Sequence, residues 1–374
     1  MNKFIKIILT AGARPNFVKI APLIRAIKTH NRELKWGQIN INYLLVHTGQ
    51  HYDIDMSDVF FRDLELPVPD INLEVGSASH AIQTANILIR FEKVCLEEKP
   101  DWVIVVGDVN STMSCSIVAA KLGIKVAHIE AGLRSFDRSM PEEINRLVTD
   151  ALSDLLFTPS EDADENLLRE GISPQKIIRV GNVMIDSLIS NLEKIKERTI
   201  REKYGLKEKQ YAFVTLHRPS NVDDKSKLSQ IVDRLDWLSN RLDVIFPIHP
   251  RTKKQFELFH IWEKAKGITR LILAEPLGYL DTIGLVNDAR FVLTDSGGVQ
   301  EETTFLKIPC LTLRPNTERP VTISKGTNKL TTLQTIEQDI ENILNGLSTS
   351  GVVPALWDGL AGERIIKHLV EHAL

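Results

Sequence analysis

What most limits the folds open to this chain is a repeated alternation. Short β-branched runs, three to six residues long, are separated by amphipathic stretches of helix length. The runs are Phe4–Leu9, Tyr43–His47, Trp102–Val106, Lys125–Ile129, Leu155–Thr158 and Ile177–Val180. A second series comprises Tyr211–Thr215, Val244–Ile248, Leu271–Leu273, Phe291–Thr294 and Cys310–Leu313. Strands alternating with helices imply βαβ units and parallel sheets, and they exclude an all-β architecture. With 374 residues the chain is too long for one ordinary α/β core, and each series is long enough for its own doubly wound sheet.

The stretch Asp186–Lys209 is charged and helical in pattern, with Gly205 as its stop. A boundary near Val180–Asn182 therefore divides the chain into a first domain of 1–182 and a second of 183–359. Ile365, Ile366, Leu369 and Val370 at helical spacing predict a closing helix within 360–374.

Composition narrows the function. The formal net charge of -3 offers no general attraction to nucleic acid or anionic membrane, so any phosphate binding must be local. No run approaches the roughly 20 apolar residues of a membrane span, and Phe4–Leu9 is strand-length and interrupted by Lys6, unlike a signal peptide. Cys95, Cys115 and Cys310 are widely spaced and form no CxxC pair, so no disulfide framework or zinc ribbon is expected. A cytoplasmic protein with free thiols and no structural metal is the resulting expectation.

In open parallel sheets, ligands bind beyond the carboxyl ends of the strands, so the residues following each strand matter most. After the first strand, Gly12-Ala13-Arg14-Pro15-Asn16-Phe17-Val18-Lys19 opens a helix whose free N–H groups, with Arg14 and Lys19, suit an anion. The loop is neither GxGxxG nor a Walker loop. As a bare joint it is a strand–turn–helix with two solvated bases. Asp108 follows the third run, where an acid is as often a helix N-cap as a ligand-edge carboxylate.

The densest stretch runs from Glu130 to Arg146. Glu130 ends an apolar strand, a costly place for a carboxylate unless it is paired or used. Pro141 begins a helix on which Glu142, Asn145 and Arg146 share a face. A solvated Glu142–Arg146 pair is the plain alternative. Convergence of Asp108, Glu130 and Glu142 would instead create mutual repulsion and groups suited to proton transfer.

In the second series, His217 and His249 follow successive strands, where imidazole suits proton transfer and phosphate contact. Ser296, Gly297 and Gly298 at a strand-to-helix turn expose N–H groups to a diphosphate. Glu302 is placed to accept ribose hydroxyls. Arg314 and Arg319 add phosphate-neutralising charge.

In this order, GARPNFVKIAPL, TGQHYD, GDVNST, HIEAGLRSFDRSMPEEINR, LTDSGGVQEE and TERP resemble the non-hydrolysing UDP-N-acetylglucosamine 2-epimerases, from about Lys3 to Arg319. The resemblance implies two Rossmann-like domains with parallel sheets facing across a cleft (GT-B type) and a C-terminal helix returning to the first. It also implies a homodimer, a UDP-sugar substrate and an epimerisation that needs no cofactor. Asp108, Glu130, Glu142 and His217 match the family's catalytic positions. Arg14, Lys19, Arg146, His249, Ser296, Gly297, Gly298, Glu302 and Arg319 match its nucleotide-sugar-binding positions.

Departures from the family pattern are GARPN for GTRPE, HRPSN for HRREN, and Thr282 where many members place an aromatic residue. Gln50-His51-Tyr52-Asp53 replaces the Gln-His-Arg-Gln-like run through which some members bind an activating second substrate. The rivals are the same chemistry on a 2,3-diacetamido uronic acid, a GT-B glycosyltransferase, a hydrolysing epimerase and a non-catalytic sensor.

Overall fold

The computed structural model describes residues 4–35, 38–49, 61, 63–347 and 350–372. The chain forms two compact units, Met1–Ser190 with Ala355–Leu374, and Asn191–Pro354.

The first unit holds a seven-stranded parallel sheet in the order β3-β2-β1-β4-β5-β6-β7. Its strands are β1 (Phe4–Ala11), β2 (Asn40–His47), β3 (Ile71–Asn72), β4 (Trp102–Val106), β5 (Lys125–Ile129), β6 (Leu155–Thr158) and β7 (Ile177–Arg179). Every residue of β4, Trp-Val-Ile-Val-Val, is buried, as a strand covered by helices on both faces must be. One face of the sheet packs Ile8, Val46, Val103 and Val105 against Ile87, Phe91 and Val118 of helices His80–Glu98 and Asn110–Lys121.

The second unit holds a six-stranded parallel sheet, β10-β9-β8-β11-β12-β13. Its strands are β8 (Tyr211–Thr215), β9 (Asp243–Pro247), β10 (Leu271–Ala274), β11 (Phe291–Thr294), β12 (Cys310–Leu313) and β13 (Asn328–Thr331). Both faces are apolar, Val214, Phe246 and Leu293 lying on one and Phe213, Ile245 and Val292 on the other.

Both sheets run outward in two directions from a central pair, β1/β4 and β8/β11. In each, the order reverses there and opens the crevice in which doubly wound folds bind ligands. The loops after β1, β4, β8 and β11 are those carrying Arg14–Lys19, Asp108, His217 and Ser296–Gly298.

Two strands escape the β-branched pattern. β3 has two residues, and β13, Asn-Lys-Leu-Thr, is mostly polar because it is an edge. The single helix expected over Asp186–Lys209 is two, Val183–Lys196 and Ile200–Lys203. Helix Ala361–Glu371 packs on helix Arg14–Glu33, where a Cβ on Gly362 would come 3.0 Å from the Pro22 carbonyl oxygen. The Asp186 carboxylate accepts from the Gly362 N–H at 2.7 Å.

Candidate functional site

In the first unit the site grows from the β1/β4 reversal. Gly107 leaves β4 at φ +70, and a Cβ there would lie 3.1 Å from Lys19 Nζ and 3.4 Å from Glu130 Oε2. The turn therefore demands glycine twice over, for its left-handed backbone and for the close approach. Glu130, at the end of β5, itself adopts φ 72, a conformation that costs a non-glycine residue free energy and concentrates at working sites. Its carboxylate pairs with Lys19, both side chains being under 10% exposed at 6% and 8%. Glu130 and Lys19 thus meet directly behind the residue that precedes Asp108.

Asp108 is not a helix cap. The N-cap of helix Asn110–Lys121 is Val109, and it makes no side-chain cap bond. The Asp108 carboxylate receives Arg146 Nη1 at 2.5 Å, and its own carbonyl oxygen accepts from Asn145 Nδ2 at 2.9 Å. The solvated Glu142–Arg146 pair, the plain alternative, does not form; Arg146 instead pairs with Glu143 at 2.6 Å.

Glu143 is buried and accepts from the Ser135 and Phe136 N–H groups and the Ser135 hydroxyl. Burial works to raise its pKa, but those donors and Arg146 outweigh it and hold the carboxyl below its ordinary value. Glu142, half-buried at the start of helix Pro141–Leu152, has no hydrogen-bond or ion-pair partner among the described residues. The mutual repulsion expected of three carboxylates is thus not the organising force: Asp108 and Glu130 each carry their own cation. Arg14 opens helix Arg14–Glu33, but its side chain lies outside the described part, as does the run Gln50–Asp53.

In the second unit the β8/β11 reversal is organised by Asp295, which is not among the site residues expected from the sequence. It is fully buried and accepts from the backbone N–H of His217 and Arg218 and from Asn221 Nδ2. Burial opposes its charge, but His217 and the other donors keep its pKa below the usual value. His217 Nδ1 stands 3.1 Å from Asp295 Oδ1, which orients the ring. The His249 ring lies 5.2 Å from that of His217, and its Nδ1 caps helix Pro250–Leu258 by accepting from the Arg251 N–H at 3.1 Å.

Helix Gly297–Leu306 begins at Ser296, its N-cap. A Cβ on Gly297 would collide with Arg319 Nη1 and Glu318 Oε1, which explains a glycine at a position without positive φ. Arg319 is paired within the unit, to Glu318 and, through Nε, to Glu301 Oε2 at 3.0 Å. Glu318 also takes Arg314 at 2.8 Å. Burial alone would raise the Glu318 pKa; Arg319, Arg314 and Arg218 overwhelm it and hold that carboxyl well below the carboxylate range.

Glu302 is the opposite case. Burial, aided by Glu301 and opposed by the Tyr279 hydroxyl, pushes its pKa up to about 8, and Oε1 has no hydrogen-bond partner among the described residues. A buried acceptor left unmade is costly. No group of three or more His, Cys, Asp or Glu side chains among the described residues could hold a metal, and no helix among them is long and apolar enough to cross a membrane.

A family model described as UDP-N-acetylglucosamine 2-epimerase matches residues 34–370. The chain belongs to that family. A UDP-N-acetylglucosamine 2-epimerase homolog of Methanococcus maripaludis is 46% identical over 345 residues, 92% of either chain. A UDP-2,3-diacetamido-2,3-dideoxy-D-glucuronate 2-epimerase of Pseudomonas aeruginosa is 40% identical over 329 residues, 87% of this chain and 88% of that one. The crystal structure of the Methanocaldococcus jannaschii UDP-GlcNAc 2-epimerase in complex with UDP-GlcNAc and UDP matches with a TM-score of 0.88 at 43% identity. It covers 98% of this chain and 99% of that one. The α/β architecture with two parallel sheets read from the alternation of strands and helices is the architecture these epimerases share.

Proposed function

We propose that this member of the epimerase family interconverts UDP-GlcNAc and UDP-ManNAc at C2 without a redox cofactor. We further propose that it works as a cytoplasmic homodimer supplying precursors for cell-surface polysaccharide. The C2 proton is not next to a carbonyl, so direct abstraction is hard. Loss of UDP from C1 as a carboxylate removes that proton gives 2-acetamidoglucal and UDP. Protonation from the opposite face and return of UDP to C1 complete the exchange.

The observation that carries this reading is the pairing of Asp108 and Glu130, each with its own buried cation, around one glycine turn at the β1/β4 reversal. Two carboxylates with separate partners suit proton removal on one face and delivery on the other. Asp108 acts at C2, with Glu130 and the unpaired Glu142 as its partners. Lys19 and Arg146 set the charge of the two carboxylates. In the second unit, the N-terminal turn at Ser296, Gly297 and Gly298 receives the diphosphate, whose developing charge is stabilised there. His217, oriented by Asp295, assists its departure. Arg319 and His249 complete the phosphate environment, Arg14 adds charge, and Glu302 takes the ribose hydroxyls.

The test is Asp108→Asn and Glu130→Gln: both should abolish epimerisation and leave UDP affinity nearly intact by calorimetry. Wild-type rates in both would end this assignment.

A second reading is favoured by the 40% identity to the diacetamido-glucuronate epimerase: the same chemistry on a modified UDP-sugar. Turnover of the 2,3-diacetamido uronic acid substrate with none of UDP-GlcNAc would select it.

A further inference from the structure

A chain of ionic groups, buried except at its far end Glu170, lies behind the catalytic turns and makes no contact that the proposed mechanism uses. His128, in the middle of β5, is 0% exposed. Its Nδ1 lies 2.6 Å from Asp150 Oδ1 and its Nε2 lies 2.9 Å from the Gly107 carbonyl oxygen. The Gly107 carbonyl oxygen can only accept, so Nε2 donates to it. Asp150, 1% exposed, uses its second oxygen twice. It accepts the Gly132 N–H at 3.1 Å and pairs with Arg134 Nη1 at 2.7 Å. Arg134 in turn makes a two-pronged contact with Glu170, at 2.7 and 2.6 Å.

The two backbone groups that this chain grips are not arbitrary. Gly107 precedes Asp108 in the chain, and its φ of +70 makes the turn dependent on what holds its carbonyl. Gly132 lies two residues after Glu130, which is held at φ 72, and the φ +80 of Gly132 packs it against the Ala163 backbone. One carboxylate, Asp150, therefore clamps both turns, directly at Gly132 and through His128 at Gly107. Burying these charges is expensive, and a fold needing only a helix-to-strand contact is served by apolar side chains at similar volume. What apolar side chains cannot do is donate to the Gly107 carbonyl.

We propose that His128 and Asp150 are positioning residues for the reaction proposed above. They fix the Gly107–Asp108 and Glu130–Gly132 turns, so that the two carboxylates keep their spacing through proton removal and return. Neither touches the sugar. A misplacement of about 1 Å in a catalytic group can cost on the order of a hundredfold in rate, so the inference rests on the epimerase reading for its kinetic consequence.

The experiment is a double-mutant cycle. His128→Gln should lower kcat for UDP-GlcNAc by about 30- to 100-fold while changing KM and UDP affinity less than about threefold. Asp150→Asn, which keeps the side-chain shape, should do the same. In the Asp150→Asn background the His128→Gln change should cost less than about twofold, because both residues act through one clamp. Losses that multiply in the double variant would overturn the proposal and leave His128 a general stabiliser of β5.

A second arm does not depend on the substrate. Amide hydrogen exchange of the unliganded His128→Gln protein should lose protection over residues 105–112 and 129–134, with the β8–β13 sheet unchanged. Unaltered protection in those turns would overturn the proposal even if the variant were slow. Wild-type protein inert toward UDP-GlcNAc would refute the functional reading alone, and the exchange arm would still decide the positioning claim.

Discussion

Lys19 and Glu130 face each other with side chains only 8% and 6% exposed, so replacing Lys19 by Met tests how the site is held together. Methionine fills the volume of the lysine stem but leaves the Glu130 carboxylate buried without its cation. Removing one partner of such a pair costs about 3–5 kcal/mol, whereas replacing both by neutral groups of similar volume costs far less. With a urea dependence of about 2 kcal/mol per molar, the unfolding midpoint of the first unit should fall by roughly 1.5–2.5 M. Far-ultraviolet circular dichroism during urea titration gives the midpoint. Adding Glu130→Gln to Lys19→Met should recover more than half of that loss, since the stranded charge is gone. The reasoning fails if Lys19→Met shifts the midpoint by less than about 0.5 M, or if the second substitution deepens the loss. Either result would mean that water reaches the pair and the carboxylate is not desolvated.

Three further expectations are independent of that one. Gly107→Ala must place a side chain at φ +70 and 3.1 Å from Lys19 Nζ; about 1–2 kcal/mol of stability and most of the epimerase activity should be lost, read by thermal unfolding and turnover. Asp186 is raised to about 6 by burial despite the Gly362 N–H. Its folded form therefore binds a proton more tightly than the unfolded chain, and its ionisation weakens the fold increasingly from pH 4 to pH 6 and fully above. Asp186→Asn, which keeps an acceptor for Gly362, should stabilise the protein by up to about 3 kcal/mol at pH 8 and much less at pH 5; an equal gain at both would refute the assignment. Glu302→Ala should weaken UDP binding about tenfold or more, the worth of a hydrogen bond to a buried acidic group. It should leave binding of the 2′,3′-dideoxy analogue unchanged, as calorimetry would show.

The parts of this molecule legible in its sequence were those governed by local pattern. The β-branched runs Trp102–Val106, Lys125–Ile129, Leu155–Thr158, Tyr211–Thr215, Phe291–Thr294 and Cys310–Leu313 coincide with β4, β5, β6, β8, β11 and β12, because strands buried on both faces must be continuously apolar. β13 was missed for the converse reason: as an edge strand with Lys329 and Asn328 it has little apolar face to show.

At the site, strand-end position singled out Asp108, Glu130 and His217, but not the pairings that hold them. Glu143 and Glu142 are adjacent, and only the three-dimensional course of the Ser135–Phe136 loop decides that Glu143 receives Arg146. Asp295 stood in view within LTDSGG; its role depends on the β8 loop coming alongside, 78 positions earlier in the chain. The pairing of Lys19 with Glu130 spans 111 positions, and no spacing rule reaches so far. The one available signal was the cost of a carboxylate ending an apolar strand, which demanded a partner without naming it.

The elimination mechanism stands or falls on how the C2 proton is handled. Proton NMR of UDP-GlcNAc incubated with the protein in D2O, without NAD or any sugar acceptor, follows it directly. UDP-ManNAc should appear carrying deuterium at C2, with free UDP no more than a trace. Epimer that retains its C2 proton, or epimerisation only after NAD is added, would contradict the elimination and re-addition proposed for Asp108 and Glu130.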